Sequence, residues 1–175
     1  MLEREELNSR AKMIVKHHAI MAAGFGLVPV PFVDLAAVVG VQINMLQELS
    51  KLYEVPFSQQ RSRSIVASLI GGGLPFAASA MPIVGSILKL VPVVGSVLGG
   101  VVMPGLSTAT TIALGRLFTK HFESGGTMID INIEKMRAMF RTEVDQAKAE
   151  ASEVEAEAKA YKADVVNSEK VAVSA

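Results

Sequence analysis

Residues 65–118 read IVASLIGGGLPFAASAMPIVGSILKLVPVVGSVLGGVVMPGLSTATTIALGRLF, and these 54 positions carry two charges, Lys89 and Arg116. An uncharged run of about 18 residues or more suffices for a bilayer span, and two such lengths, 65–88 and 90–114, flank Lys89. A fully helical arm of 24 residues would rise about 36 Å. Nine of the 14 glycines and four of the seven prolines fall inside the run, so its helices are expected to be broken, closely packed or both. The expectation is a Gly/Pro-rich hairpin turning at Lys89. Arg61 and Arg63 before it and Arg116 and Lys120 after it then share the cytoplasmic side, as the positive-inside bias requires. Pro75, Pro82, Pro92 and Pro104 leave a re-entrant hairpin open beside a full crossing.

Small residues supply the packing signal. Gly95 and Gly99 form a GxxxG pair, and Ser107, Thr111 and Gly115 continue a line at every fourth position, which lets another helix approach closely. That helix belongs either to the same hairpin or to a second subunit.

On the amino-terminal side, Leu7, Ala11, Ile14, His18, Met21 and Phe25 recur at helical spacing, so 1–26 is expected as an amphipathic helix. Pro29 and Pro31 form a turn, and a second helix is expected from about 32 to 54. Asp34, Gln42 and Asn44 would be costly in lipid unless they faced protein or water, which favours an interfacial or protein-covered helix. Asp34 is open to three roles: capping that helix, pairing with Lys89, or lining an ion path. The tetrapeptide Leu27-Val28-Pro29-Val30 recurs as Leu90-Val91-Pro92-Val93, by duplication or by chance in a valine-rich vocabulary. SQQRSRS, 58–64, reads as a polar link. Beyond Ser124-Gly125-Gly126, residues 131–166 are rich in Ala, Glu and Lys at three-four spacing. They form a long helix by propensity and pattern, coiled against a partner or solvated. A disordered tail is expected at 167–175, and 27–130 stands as the membrane-associated domain.

Composition narrows the chemistry. Half of the 175 residues are hydrophobic and mean hydropathy is +0.40, while 17 cations balance 17 anions, so no field recruits nucleic acid. With no cysteine, thiolate metal sites and cysteine nucleophiles are excluded. His17, His18 and His121 are too scattered for a metal set, and Gly71-Gly72-Gly73 lacks the lysine of a phosphate loop. No G-x-S-x-G or H-E-x-x-H occurs. The expectation is a non-enzyme without cofactors.

The stretches 22–58 (AAGFGLVPVPFVDLAAVVGVQINMLQELSKLYEVPFS), 89–100 (KLVPVVGSVLGG) and 111–126 (TIALGRLFTKHFESGG) resemble the DUF697 family, bacterial membrane-associated domains often fused to or encoded near GTPases. The block from Leu27 to Asp34 is the most specific element. The resemblance implies an all-α, membrane-associated fold with a largely undefined role; lacking a GTPase domain of its own, this chain would meet a GTPase in trans. The leading expectation is a membrane-inserted, self-associating scaffold or adaptor in the bacterial inner membrane, its termini cytoplasmic and its partners the lipid bilayer and further copies. A channel lined by Asp34 and Lys89, and a soluble helical assembly, are the alternatives. The residues expected to shape the membrane turn and its packing are Pro29, Pro31, Asp34, Lys89, Pro92, Gly95, Gly99 and Gly115.

Overall fold

The computed structural model describes residues 3–25, 33–73 and 94–173; among these residues there are five helices and no strand. Helix α1 spans Arg4–Phe25. Glu5 and Glu6 in its first turn complement the helix dipole, and an exposed Glu6–Arg10 pair at 2.7 Å adds a few tenths of a kcal/mol. Ala11, Val15, Ala19, Ala22 and Ala23 form its buried side, so small residues bring it close to its neighbours.

Helix α2 spans Val33–Leu52, close to the expected 32–54. It stops because Glu54 adopts a left-handed φ of 55°. The N–H groups of Glu54 and Val55 then bond back to the carbonyls of Lys51 and Ser50, closing a Schellman cap before Pro56.

Helix α3 spans Gln59–Gly73, so most of the stretch read as a polar link is helix. Ser58 starts it. Its carbonyl accepts from both the backbone N–H and the hydroxyl of Ser62, and the glutamines and arginines that follow are good helix formers.

Helix α4 spans Val94–Glu123 and thus passes well beyond the expected arm end at 114. Gly125, at φ 83°, terminates it with a second Schellman cap in which the Gly125 and Gly126 N–H groups reach the carbonyls of Phe122 and His121. Helix α5, capped by Asn132 Oδ1 on the Lys135 N–H at 2.9 Å, spans Ile133–Val173. It remains helical through Asn167, where the sequence reading placed the start of a tail.

Contacts fix the helix directions. Ser107 meets Ala22 and Gly115 meets Val15, so α4 is antiparallel to α1. Gln42 meets Thr110 and Thr111 while Tyr53 meets Glu123, so α2 and α4 are parallel. Thr108, Arg116 and Lys120 meet Glu155, Glu150 and Glu143 in turn, so α5 is antiparallel to α4. Ser62 beside Met128 and Ser68 beside Arg137 align α3 with the start of α5. Helices α1, α3 and α5 therefore run toward one pole, and α2 and α4 run away from it. Connections 26–32 and 74–93 each join an ascending helix to a descending one.

The core gathers Met45, Leu46 and Leu49 of α2, Leu69 of α3, Ile112, Leu117 and Phe118 of α4, and Phe140 of α5. The alanine stripe of α5, Ala147, Ala151 and Ala158 with Val154, is buried within the same chain. It packs chiefly on α4 and α1, so this part of the helix is neither solvated all round nor left for a partner.

Among the described residues no helix is long and apolar enough to cross a membrane. The expectation of transmembrane arms is corrected on that point, and its physical reason is local. The second arm is interrupted by Ser107, Thr108, Thr110 and Thr111, and its later residues are buried in protein. Only 65–73 of the first arm falls in a described helix.

Candidate functional site

A polar seam crosses the otherwise apolar interior where α1, α2 and α4 meet. His18 on α1 is fully buried. Its Nδ1 lies 2.8 Å from the Ile14 carbonyl, which can only accept, so Nδ1 carries the proton and Nε2 accepts from Asn44 Nδ2 at 3.3 Å. Glu48 Oε1, one turn beyond Asn44, is 3.8 Å from the same Nε2.

Gln42, also fully buried, points from α2 into α4. Its Nε2 donates to Thr110 Oγ1 at 3.4 Å and Thr111 Oγ1 at 3.2 Å. Both threonine hydroxyls donate to the Ser107 carbonyl at 3.0 and 2.8 Å, the back-bonding that such residues use inside helices. Gln42 Oε1 is buried with no partner, a deficit of about 1–3 kcal/mol. Gln42 thus faces protein, and Asn44, itself exposed, turns its amide to His18. The sequence reading treated Thr111 and Ser107 only as small residues; a glutamine in an apolar helix face together with a Ser-Thr-x-Thr-Thr run was the available signal for their hydroxyls.

Of the residues expected to shape a membrane turn, Pro29, Pro31, Lys89 and Pro92 lie outside the described residues, as does the turn at Lys89 itself. Asp34 occupies the first turn of α2, and Gly95 and Gly99 the first turns of α4. Gly115 sits at a close crossing within the chain: a Cβ there would stand 2.5 and 2.8 Å from the two Val15 methyls and 3.2 Å from Met45 Sδ. Ser107 and Thr111, on the same line of α4, turn to α1 and α2.

Charge is distributed unevenly along the bundle. Going toward the pole reached by the end of α1, the last charges are Lys16 on α1 and Arg116 on α4, and on α2 Glu48 is the last before Asp34 in the first turn. Lys16, Glu48 and Arg116 stand at similar height, since Val15 meets Gly115 and Glu48 meets His18. Beyond them, α1 and α4 carry no Asp, Glu, Lys or Arg, and α2 carries Asp34 alone. Helix α5 differs. Its glutamates pair with the boundary cations, Glu150 with Arg116 and Glu157 with Lys16 at 3.1 Å, and its exposed side stays charged through Glu153, Lys159 and Lys162.

The opposite pole is polar. Tyr53 donates to Glu123 Oε1 at 3.1 Å and packs on Phe122, with ring centroids 6.0 Å apart. Burial, helped by the Glu123 carboxylate, raises the Tyr53 phenol above its ordinary value. Hydrogen bonds from the Thr127 hydroxyl and N–H hold the Asp130 carboxyl below its ordinary value. Among the described residues no three His, Asp or Glu side chains group closely enough to hold a metal ion. The seam's one ring, His18, bonds within α1 to Ile14 and joins α1 to α2 through Asn44.

A curated relative, magnetosome membrane protein 22 of Magnetospirillum gryphiswaldense, is 40% identical over 156 residues, covering 89% of this chain and 80% of its own. No solved structure matches. The family described as a domain of unknown function, DUF697, matches residues 2–149, which take in all of α1 to α4 and the first part of α5. The chain belongs to the DUF697 family.

Proposed function

We propose that this protein is a non-enzymatic, membrane-associated helical scaffold or adaptor. The observation that carries this reading is the common height beyond which α1 and α4 carry no charge and α2 carries Asp34 alone. Beyond Lys16, Glu48 and Arg116, three neighbouring helices offer lipid almost nothing that is costly to desolvate. The connections 26–32 and 74–93 carry a single further charge, Lys89, and depart from helices directed to the same pole. The relative's printed name, a magnetosome membrane protein, supports the same reading. Residues 27–130 form the membrane-associated domain. The charged pole, with Arg61, Arg63 and the ends of α2 and α4, faces the cytoplasm at a bacterial inner membrane.

Liposome flotation tests this directly. The full chain is expected to float with phosphatidylethanolamine–phosphatidylglycerol vesicles and to resist high salt; complete recovery in the soluble fraction as a defined oligomer would sink the proposal and favour a soluble assembly. Self-association in the membrane, through the small residues Gly95 and Gly99, predicts cross-linked dimers in vesicles that vanish on Gly99→Leu. The family resemblance adds a GTPase partner in trans, which a pull-down with and without a non-hydrolysable GTP analogue would reveal or remove.

A further inference from the structure

Resting on the membrane-associated reading, we infer that the upper half of α5, from Glu150 onward, is a strap: it lies on α1 and α4 in the free protein and leaves them when that half of the bundle meets a bilayer. Composition sets up the conflict that requires this. Above the level of Lys16 and Arg116, α1 and α4 carry no Asp, Glu, Lys or Arg. Helix α5 passes alongside them with Glu153, Glu155, Glu157, Lys159, Lys162 and Asp164. From Arg116 back to Val94, α4 rises about 33 Å, and from Glu150 to Val173, α5 rises about 35 Å, so α5 is long enough to flank the whole uncharged length. Each of its charges is costly in lipid. The uncharged half cannot sink into a bilayer with all of them attached.

Glu155 is the sharpest case. Its Oε1 lies 3.5 Å from Thr108 Oγ1 and 3.3 Å from the position of a Cβ on Gly105, so a half-buried carboxylate is directed onto α4 inside the uncharged half. Lipid closing over that side would remove the water that Glu155 still reaches.

The two halves of α5 are attached differently. Met136, Phe140 and Val144 anchor the lower half, whereas the upper half buries Ala147, Ala151, Val154 and Ala158. Apolar stabilisation grows with buried area, and an alanine methyl supplies little of it. The rest of the hold comes from Glu150 on Arg116 and Glu157 on Lys16, pairs whose side chains are 36–58% exposed. Ion pairs so exposed are weak and screened by salt. Release uncovers a face without charge: Gly105, Thr108 and Ile112 follow Arg116 at helical spacing on α4, and Ala19 and Ala23 follow Lys16 on α1. The bilayer takes the place of the strap there, above the same charge limit on which the membrane reading stands.

The chain contains no cysteine, so Lys16→Cys with Glu157→Cys gives the full-length protein one reactive pair, at two exposed positions joined by an ion pair of 3.1 Å in the native chain. A bismaleimide links the pair and locks the strap down; N-ethylmaleimide caps the same two thiols, removes the ion pair equally and leaves the strap free. With phosphatidylethanolamine–phosphatidylglycerol vesicles, the capped protein is expected to float and to resist carbonate, and the linked protein to float several-fold less and to be stripped by carbonate. Spin labels at positions 16 and 157 are expected to be close in solution and to separate when vesicles are added. Hydrogen exchange on the unmodified protein needs no variant: amides of residues 150–158 are expected to exchange several-fold faster with vesicles than without.

Linked and capped proteins that float alike, with labels still close, overturn the strap and leave membrane association standing. Unchanged exchange in residues 150–158 while the unmodified protein floats does the same. Separation of the labels without vesicles, growing with protein concentration, assigns the release to exchange between copies and overturns the part given to the bilayer. Failure of the unmodified and capped proteins alike to float overturns both readings.

Discussion

Replacing Gly115 by alanine should expose how tightly α4 is pressed against α1. The added Cβ would lie 2.5 and 2.8 Å from the two methyls of Val15, about 1 Å inside a comfortable carbon–carbon contact. Val15 is buried and, being β-branched, has little rotamer freedom in a helix. Overpacking of this kind costs about 2 kcal/mol, against about 1 kcal/mol regained by removing a mid-helix glycine. A net loss of about 1 kcal/mol is therefore expected for Gly115→Ala, or about 2–4 °C in Tm for a chain of this size. Val15→Ala alone removes two buried methyls and should cost about 2 kcal/mol. In the double variant the clash disappears while the helix gain remains. Its cost should fall to about 1 kcal/mol, a coupling of about 2 kcal/mol relative to the sum of the singles. Urea unfolding followed at 222 nm, on all four proteins under identical conditions, measures the cycle. Additivity within about 0.5 kcal/mol would refute the close crossing. So would a Gly115→Ala protein that unfolds normally but changes its oligomeric state, since that would assign Gly115 to a contact between chains.

Three further outcomes follow from local geometry. Glu54→Gly should stabilise the fold by about 1 kcal/mol, because residue 54 holds a left-handed φ that only glycine adopts freely; a loss of stability in urea melts would contradict the cap. Gln42→Leu should be neutral or stabilising by up to about 1 kcal/mol, since it deletes a buried oxygen without a partner while Thr110 and Thr111 keep their bonds to Ser107. A marked destabilisation would show that the amide itself secures α2 to α4. In Tyr161→Phe, the 295 nm phenolate absorbance reports Tyr53 alone and should rise only above its ordinary pKa of 10.0. Because folding raises that pKa, its contribution to stability is complete below pH 10 and is lost as pH climbs above it. Tyr53→Phe should therefore flatten the alkaline decline, and an unchanged decline would dismiss the Tyr53–Glu123 bond.

The helical class and the family were legible because they depend on patterns short enough to read. Three-four spacing gave α1 and α5, Ser124-Gly125-Gly126 marked the end of α4, and the block from Leu27 to Asp34 carried the resemblance. Other features depended on tertiary partners and were not legible. The bonds from Ser58 to Ser62 that start α3 lie inside a stretch whose polarity suggests a loop. The alanine stripe of α5 looks too thin to be a core face until the small residues of α1 lie opposite it. Spacing alone also could not assign Ser107, Thr111 and Gly115 to α1 and α2, because a four-residue repeat fixes a face but not its neighbour. The charge limit shared by Lys16, Glu48 and Arg116 is invisible in one dimension; it emerges only when helix directions bring those three residues to one height.

The position of α5 also bears on how the protein is made. At about 5–20 residues per second, several seconds pass between synthesis of the end of α4 and synthesis of residue 158 of α5. During that interval the surfaces of α1 and α4 later covered by Ala147, Ala151, Val154 and Ala158 are open on the nascent chain. Delivery to a bilayer while translation is under way would use that window, and completion of α5 would close it. Stalling ribosomes before residue 147 should therefore yield a chain held more firmly by membranes or chaperones than the finished protein.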